Sequence, residues 1–358
     1  MQFIPEWVPN IHPLIVHFPI VLLISALFFD VAGLIFKKSV WLEKSAMILY
    51  AIGTLAIVIT YFTGRSAADG LDIPAKVIPS VTDHADWAEI TLWFFIIFSI
   101  IRLTISLLFK SVNRTIVIAV VILGLTGLYP LFQTGEHGAK LVFGHGLGTG
   151  TILNDDVSVA ETNDTSETQI ANSSLTQNND GSWKLSAENN VVNILNDKFT
   201  WINGTIEDFS PMYDDENSAL MFHFQNDILN GGFIFDNKLA SVQLTAEINI
   251  DNFNGEVELV HHFLDKTNYD FLGIADQKLS LSRKDNGVIK TFEESSFSTK
   301  GWLEVKLITD GSHFRGYINN KLIVHGHGDE PEPGSIGIFF SGKGNVSIRM
   351  IDAVVLEN

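Results

Sequence analysis

Five histidines in the first 150 residues have the type and placement of a cofactor site: His12, His17, His84, His137 and His145. Imidazole is a ligand for iron, copper and zinc, and imidazoles from facing helices can hold haem iron. His17 lies inside an apolar stretch, where a polar side chain needs a partner. We predict a b-type haem on His17 and His145, with the other three as neighbours or substitutes. A copper or zinc ion on His17 and His145 is one alternative, and histidines bonded only to carbonyls, water or headgroups are another.

Composition removes several other chemistries. The chain contains no cysteine, which excludes disulfides, thiolate metal sites and covalent c-type haem attachment. Residues 1–150 hold nine Lys/Arg and nine Asp/Glu, so the totals of 23 and 41 leave 14 and 32 for the remainder. The whole net charge of −18 therefore belongs to residues 151–358. Such a charge repels phosphate backbones, so nucleic acid is not an expected partner.

Four apolar stretches are long enough for a bilayer, whose core needs about 20 helical residues. They cover residues 13–36, 43–63, 87–109 and 115–133. The first has no basic segment before it and is expected to be a retained span rather than a cleaved signal peptide. The sequence therefore predicts a four-helix transmembrane bundle with the lipid bilayer as its surroundings.

Basic residues predict the orientation of these spans. The connections after the first and third spans carry Lys37, Lys38, Lys44, Lys110 and Arg114. The positive-inside rule places these connections in the cytoplasm and both chain termini on the other side. The prediction is a multi-pass protein of the bacterial inner membrane with a periplasmic C-terminal domain. All five histidines then lie at the outer side.

Two charged residues fall inside the predicted spans. Asp30 and Arg102 lie at the same expected depth, near the cytoplasmic ends of the first and third spans. An unpaired charge at such a position is costly, so an interhelical ion pair is predicted. The pair is interpreted as a structural link between helices, with a proton or ion path as the alternative and Arg102 extending to the interface as another.

Several motifs resemble a known family. HPLIVHFPI, TGRSAADG at 63–70, DHADW and TGEHGAKLVFGHGLGTG are similar to a bacterial family of predicted four-helix inner-membrane proteins of unassigned function. The resemblance covers about residues 11–150. It implies the four-span topology and a shared role for the outer motifs. Similar proteins accompany c-type cytochrome modules, so it also implies redox work with a periplasmic cytochrome as partner.

The C-terminal half has a different pattern. Residues 151–180 are rich in Asn, Ser, Thr and Asp and are predicted to be a disordered acidic linker. From residue 181, ten short runs of β-branched and aromatic residues alternate with turn formers such as NGG, KDNG and GKGN. We predict an all-β jelly-roll sandwich over 181–358. The fold class is therefore a four-helix transmembrane domain (1–150) followed by a β-sandwich.

The last third of this domain resembles the concanavalin-A-like lectin and glucanase fold, through Trp302-Leu-Glu-Val-Lys, Phe314-Arg-Gly-Tyr-Ile and Pro333-Gly-Ser-Ile-Gly-Ile. That fold includes binding modules, hydrolases and spacers. Glu256, Glu258 and Asp251 are the nearest acids to a glucanase set, but the third acid at the required spacing is missing. No catalytic residue is therefore predicted, and a binding or spacer role is favoured over an enzymatic one.

Other side chains in this domain have weaker patterns. His261-His262 and His325-Gly-His327, beside Asp329 and Glu330, could hold a metal ion but are expected to be ordinary polar residues at strand ends. Four aromatic residues could stack on sugar but are mostly expected in the core, namely Trp201, Tyr213, Tyr269 and Trp302.

Together these patterns predict a membrane-bound haem b protein for electron transfer or redox sensing, with an extracytoplasmic binding domain. The alternative is a non-redox anchor that presents a carbohydrate- or protein-binding module, or a histidine-based copper or zinc site. A periplasmic cytochrome or a glycan is the expected partner. The sequence leaves open the electron donor or acceptor, the ligand of the sandwich and the oligomeric state.

Overall fold

The computed structural model describes residues 10–36, 39–71, 73–109, 112–147 and 174–356. They divide into an N-terminal helical unit and a C-terminal β unit. The N-terminal helices are α1 (His12–Ile15), α2 (His17–Ile35), α3 (Val40–Asp69), α4 (Ile78–Leu108), α5 (Arg114–Thr126) and α6 (Leu128–Ala139). A 3₁₀ turn, Ala75–Val77, precedes α4, and a π-helical turn, Lys140–Gly144, follows α6.

These elements form four helical segments apolar enough to cross a membrane: His12–Ile35, Val40–Asp69, Ala75–Leu108 and Arg114–Gly144. The four predicted spans are therefore confirmed as apolar helices, and three of them extend further than the apolar stretches alone. Helix α4 begins before DHADW, so His84 lies within a helix rather than in a loop. A helix continues beyond an apolar core where its polar residues keep good helix propensity and the ends find partners.

Close approach of side chains to glycine holds the helices together. In the fourth segment, Gly127 lies between α5 and α6, where a Cβ would collide with the ring of Phe94 on α4. The bundle core contains Leu23, Tyr50 and Phe98, all at most 2 % exposed. On the outside, Phe62 remains 61 % exposed, as expected for a surface that faces lipid tails rather than water.

The predicted ion pair is present in the bundle. Arg102 on α4 donates to both carboxylate oxygens of Asp30 on α2, at 3.1 Å from Nε and 2.8 Å from Nη2. The side chains are 8 % and 4 % exposed. A bidentate pair satisfies both charges at once, which a membrane interior requires.

The strands of the C-terminal unit, in the part of the chain that the structure describes, are β1 (Leu175–Gln177), β2 (Trp183–Ser186), β3 (Thr200–Ile202), β4 (Met212–Asp214), β5 (Ala219–Leu239), β6 (Val242–Asn249), β7 (Phe253–Asp265), β8 (Asn268–Ala275), β9 (Lys278–Asp285), β10 (Val288–Ser296), β11 (Trp302–Asp310), β12 (His313–Ile318), β13 (Lys321–His327) and β14 (Gly334–Val355). Two short helices, α7 (Val191–Lys198) and α8 (Ile206–Phe209), lie between early strands.

The long strand β14 organises the jelly roll. Along one side it pairs first with β7 and then with β6, and along the other side first with β5 and then with β2. One sheet then continues through β8, β9 and β10, and the other through β11, β12 and β13. Alternate residues of both sheets, such as Leu259, Val305 and Ile338, are completely buried in one shared core. The predicted β-sandwich is therefore confirmed.

The start of the β unit and one of its helices differ from the sequence-based predictions. Strand β1 lies within the predicted linker, because Leu175 pairs with Leu185 and is buried in the core. A short polar segment contributes a strand when its few apolar residues find a partner strand. Helix α7 was not predicted either. Residues 151–173 of the linker, and Lys37, Lys38 and Lys110, lie outside the described residues.

Candidate functional site

His12 and His84 each connect two helices of the membrane unit. Nδ1 of His12 donates to the carbonyl oxygen of Thr60 on α3 at 3.1 Å. Nδ1 of His84 donates to the carbonyl oxygen of Thr134 on α6 at 3.0 Å. A ring nitrogen that faces a carbonyl oxygen carries the proton, so Nε2 of a neutral ring keeps its lone pair. This is the arrangement in which a histidine binds a metal through Nε2.

Glycines on the facing helices make room for these rings. A Cβ on Gly64 would lie 2.9 Å from Cε1 of His12, and one on Gly138 would lie 3.0 Å from Cε1 of His84. The glycines around His137 therefore serve helix packing at Gly138, where the ring of His84 contacts the backbone of α6.

The other three predicted ligands have different surroundings. The ring of His137 donates from Nδ1 to the carbonyl oxygen of Gln133 in its own helix, at 2.8 Å. Nε2 of His145 lies 3.1 Å from Oγ of Ser80. His17 is exposed on the surface of the bundle. Of the predicted haem pair, His17 is therefore exposed and His145 is already bonded to Ser80. A haem on these two residues stays a prediction.

Groups of three or more potential metal ligands lie only in the β unit, as far as the described residues go. They are His313 with His325 and His327, and His261 with His262 and Asp270. The five membrane-unit histidines, all of them described, do not form such a group. A haem needs only two imidazoles, which is fewer than these groups contain.

A polar groove crosses the outer face of the sheet that contains β7, β8, β9 and β10. The strand register places Glu258, Gly273, Ser280 and Glu294 in one row across these strands. Because Gly273 has no side chain, the carboxylate of Glu256 lies over it, where a Cβ would collide with Oε1. The groove has a volume of about 140 Å³ and is lined by Glu256, Gly273, Ala275, Asp276, Lys278, Ser280 and Glu294.

The two glutamates of β7 differ in their surroundings. Burial, and after it the charge of Glu256, raise the pKa of Glu258 to about 7. Burial also raises the pKa of Glu256. The hydroxyl of Tyr269 donates to Oε2 of Glu258 at 3.3 Å and accepts from Nδ2 of Asn230 at 2.8 Å. Glu258 is only 3 % exposed and does not line the groove, whereas Glu256 does.

The other predicted acid and the aromatic residues have structural contacts. Asp251 accepts from the backbone N–H of Gly301 at 2.9 Å, away from this row. Trp201 and Tyr213 pack against the core, and Tyr269 is 3 % exposed. The ring of Trp302 is covered by the guanidinium of Arg349, 3.9 Å above its centre. The groove therefore presents carboxylates, the hydroxyl of Ser280 and the ammonium of Lys278, which donates to Glu294 at 2.8 Å.

His261 and His262 form a closed hydrogen-bond network. Nε2 of His262 donates to the carbonyl oxygen of Ala240, so its Nδ1 accepts from Nδ1 of His261 at 2.6 Å. Asp270 accepts two hydrogen bonds from Arg283, at 2.7 and 2.8 Å. Burial lowers the pKa of both histidines, most strongly for His261, and keeps them neutral. His261 and His262 therefore lie within strand β7, bonded to each other and to the backbone of Ala240.

Family comparison covers the membrane unit. Residues 8–151 match the family model described as "Predicted membrane protein (DUF2231)". This confirms the resemblance expected for residues 11–150, and the matched segment contains all four membrane-spanning helical segments. No curated protein matches the chain.

Three solved structures are similar to the chain. A carbohydrate-binding module from Bacillus subtilis is 15 % identical, covers 43 % of this chain and 94 % of its own, and has a TM-score of 0.35. A Bacillus subtilis protein of unknown function with a galectin-like fold is 12 % identical, with 48 % and 94 % covered and a TM-score of 0.37. A Bacillus licheniformis β-glucanase is 8 % identical, with 45 % and 92 % covered and a TM-score of 0.37. The strand pairing above establishes the sandwich without them.

Proposed function

We propose that this protein is a membrane-anchored binding protein whose β-sandwich takes a hydroxyl-rich glycan in the groove of Glu256, Gly273, Ser280 and Glu294. The observation that supports it is the row of polar groups across four strands, in which Gly273 leaves room for the carboxylate of Glu256. Carboxylates are strong acceptors for hydroxyl donors, and Ser280 both donates and accepts. A concave polar strip on a rigid sheet is the kind of surface that holds such a ligand without rearranging.

The membrane unit then serves as the anchor. Its buried polar groups are used for helix contacts: Asp30 with Arg102, His12 with Thr60. We further propose that both termini and the sandwich are periplasmic, because the basic connections between spans favour a cytoplasmic location. In that compartment the groove meets cell-envelope or external glycans.

Variants of the groove test the proposal. Glu256→Gln and Glu294→Gln are each expected to weaken glycan binding about tenfold, since a hydrogen bond to a charged group contributes ~1.5–3 kcal/mol. Gly273→Ala is expected to abolish binding, because its Cβ displaces the Glu256 carboxylate from the floor. Binding of a panel of neutral oligosaccharides is measured on the full chain in lipid nanodiscs, since glycoside detergents would compete.

Glu332→Gln is the matched control, because Glu332 is exposed and does not line the groove. It should bind like the parent protein. The proposal is overturned if no oligosaccharide binds the parent protein, or if binding persists undiminished in Gly273→Ala.

A second candidate function rests on His12 and His84. We propose that a b-type haem between these two imidazoles would support electron transfer, with a periplasmic c-type cytochrome as partner. The supporting observation is that both Nδ1 atoms are bonded to carbonyl oxygens on other helices, which leaves both Nε2 lone pairs for iron. Bound copper would need the same lone pairs.

Absorption spectra distinguish bound haem from bound copper and from a protein that holds neither. Purified full-length protein with haem should show a Soret band and sharp bands after dithionite reduction. His84→Ala and His12→Ala should lose the colour, while His17→Ala keeps it. A colourless protein from haem-replete cells would contradict the haem candidate. Loss of colour only in His17→Ala or His145→Ala would instead identify His17 and His145 as the iron ligands.

A further inference from the structure

The hairpin of β12 and β13 places three histidines on one face. His325 and His327 are two residues apart on β13, so their side chains point to the same side of the strand. His313 on β12 is the register partner of His327. The opposite face of this hairpin carries Phe314 and Val324, which are buried in the core. The imidazoles therefore lie on the face away from the core.

The three rings are close enough to share one ion. Their centres are 4.6 Å apart for His313 and His327, 4.9 Å for His325 and His327, and 6.2 Å for His313 and His325. One ring nitrogen of each lies within 4.8 Å of the others. Tetrahedral coordination with metal–nitrogen bonds of about 2.0–2.1 Å needs nitrogens roughly 3.3 Å apart. Small rotations about the side-chain torsions supply that difference, while the paired strands stay fixed.

The ligand set restricts the ion. Imidazole nitrogens suit zinc, copper, nickel and iron, whereas calcium and magnesium need oxygen ligands. Three histidines fill three of four tetrahedral positions, which leaves one for water or an exogenous ligand. Asp310, the register partner of His313 on β11, occupies the same face and can orient that ring as a neighbouring carboxylate. Arg315 is the register partner of His325 on this face.

The other histidine group lacks this capacity. His261 and His262 bond each other and a carbonyl oxygen, and Asp270 is occupied by Arg283. A metal ion there would have to break these bonds inside a fully buried core. In the hairpin cluster, His325 is half-buried and His327 is exposed, so solvent reaches two of the three rings. The net charge of −18 in residues 151–358 also attracts cations to this domain.

We propose that His313, His325 and His327 form a binding site for a divalent transition-metal ion of the zinc and copper class, with a fourth coordination position for water. The site is separate from the glycan groove, whose lining residues come from β7 to β10. It gives the β-sandwich a second ligand class that does not depend on the glycan proposal.

The test uses full-length protein with a purification tag that contains no histidine. After treatment with a chelator, binding of Zn²⁺ is measured by calorimetry, and bound metal is counted by mass spectrometry after dialysis. One ion per chain is expected. His325→Ala and His327→Ala should weaken binding more than the 10–100-fold loss that outer-shell changes cause. Cu²⁺ should compete more strongly than Zn²⁺ for the same site.

A control variant separates this site from other histidines. His223→Ala removes an exposed imidazole that contacts Asn345. It should bind one Zn²⁺ with unchanged affinity. Circular dichroism confirms that each variant keeps its β-sheet. The proposal is overturned if the parent protein binds no Zn²⁺ stoichiometrically, if folded His325→Ala and His327→Ala bind like the parent, or if His223→Ala loses the ion.

Discussion

Asp30→Asn is expected to destabilise the membrane unit by about 3–5 kcal/mol, the cost of leaving one member of a buried ion pair without its partner. The side chain of Arg102 is 8 % exposed, and its guanidinium donates two hydrogen bonds to Asp30. An amide in place of the carboxylate removes the compensating negative charge but keeps the volume. The remaining positive charge then stays inside the bundle or draws in water or lipid headgroups, and both responses weaken the packing of α2 against α4.

Thermal or denaturant unfolding of the protein in nanodiscs measures this loss. The double variant Asp30→Asn with Arg102→Gln removes both charges and should recover most of the stability, because the neutral side chains can still bond each other. Glu136→Gln is the control, since it removes an exposed carboxylate from a different helix, α6. A single variant as stable as the parent protein would show that the pair does not hold the helices. A proton path would instead appear as lost transport with unchanged stability.

Glu258→Gln is expected to stabilise the β-sandwich by about 3 kcal/mol at pH 8. The pKa of Glu258 is about 7 in the folded protein, raised from 4.5 by burial and by Glu256. A carboxyl whose pKa rises on folding holds its proton in the folded state while the unfolded chain has lost it. Stability from this group is therefore complete below pH 4.5, falls as pH rises to 7, and stays low above that. At 1.36 kcal/mol for each pKa unit, the difference is on the order of 3 kcal/mol.

The glutamine keeps the size of the side chain and the contact with Tyr269, and it has no proton to lose. The free energy of unfolding is measured by urea titration of the full chain in nanodiscs at several pH values, followed by tryptophan fluorescence. The difference between the variant and the parent protein should be near zero at pH 4 and largest above pH 7. Comparison of the two proteins cancels the contribution of His261 and His262, whose lowered pKa values act in the opposite direction. A difference that does not change with pH would refute the assignment.

The apolar stretches and alternating strands are encoded locally, and the sequence determined them well. A run of about 20 apolar residues specifies a membrane helix regardless of what surrounds it. Alternation and turn residues likewise specify strands one by one. Asp30 and Arg102 could be paired from the sequence because they lie at the same expected depth, near the cytoplasmic ends of their spans. The helical break at Gly127 and the strand β1 were missed, because each depends on a partner: the ring of Phe94 and the strand β2.

The candidate sites were decided by the tertiary structure. The sequence named His325 and His327 as a possible metal pair, but only the register of β12 against β13 brings in His313, twelve residues before His325. The same holds for Gly273, Ser280 and Glu294, which become a groove only where two hairpins align. Conversely, the sequence favoured His17, whose side chain the packing of the helices leaves on the outside, over His12 and His84. Residue types set what chemistry is available, and register and helix rotation, which depend on contacts distant in sequence, decide which residues can act together.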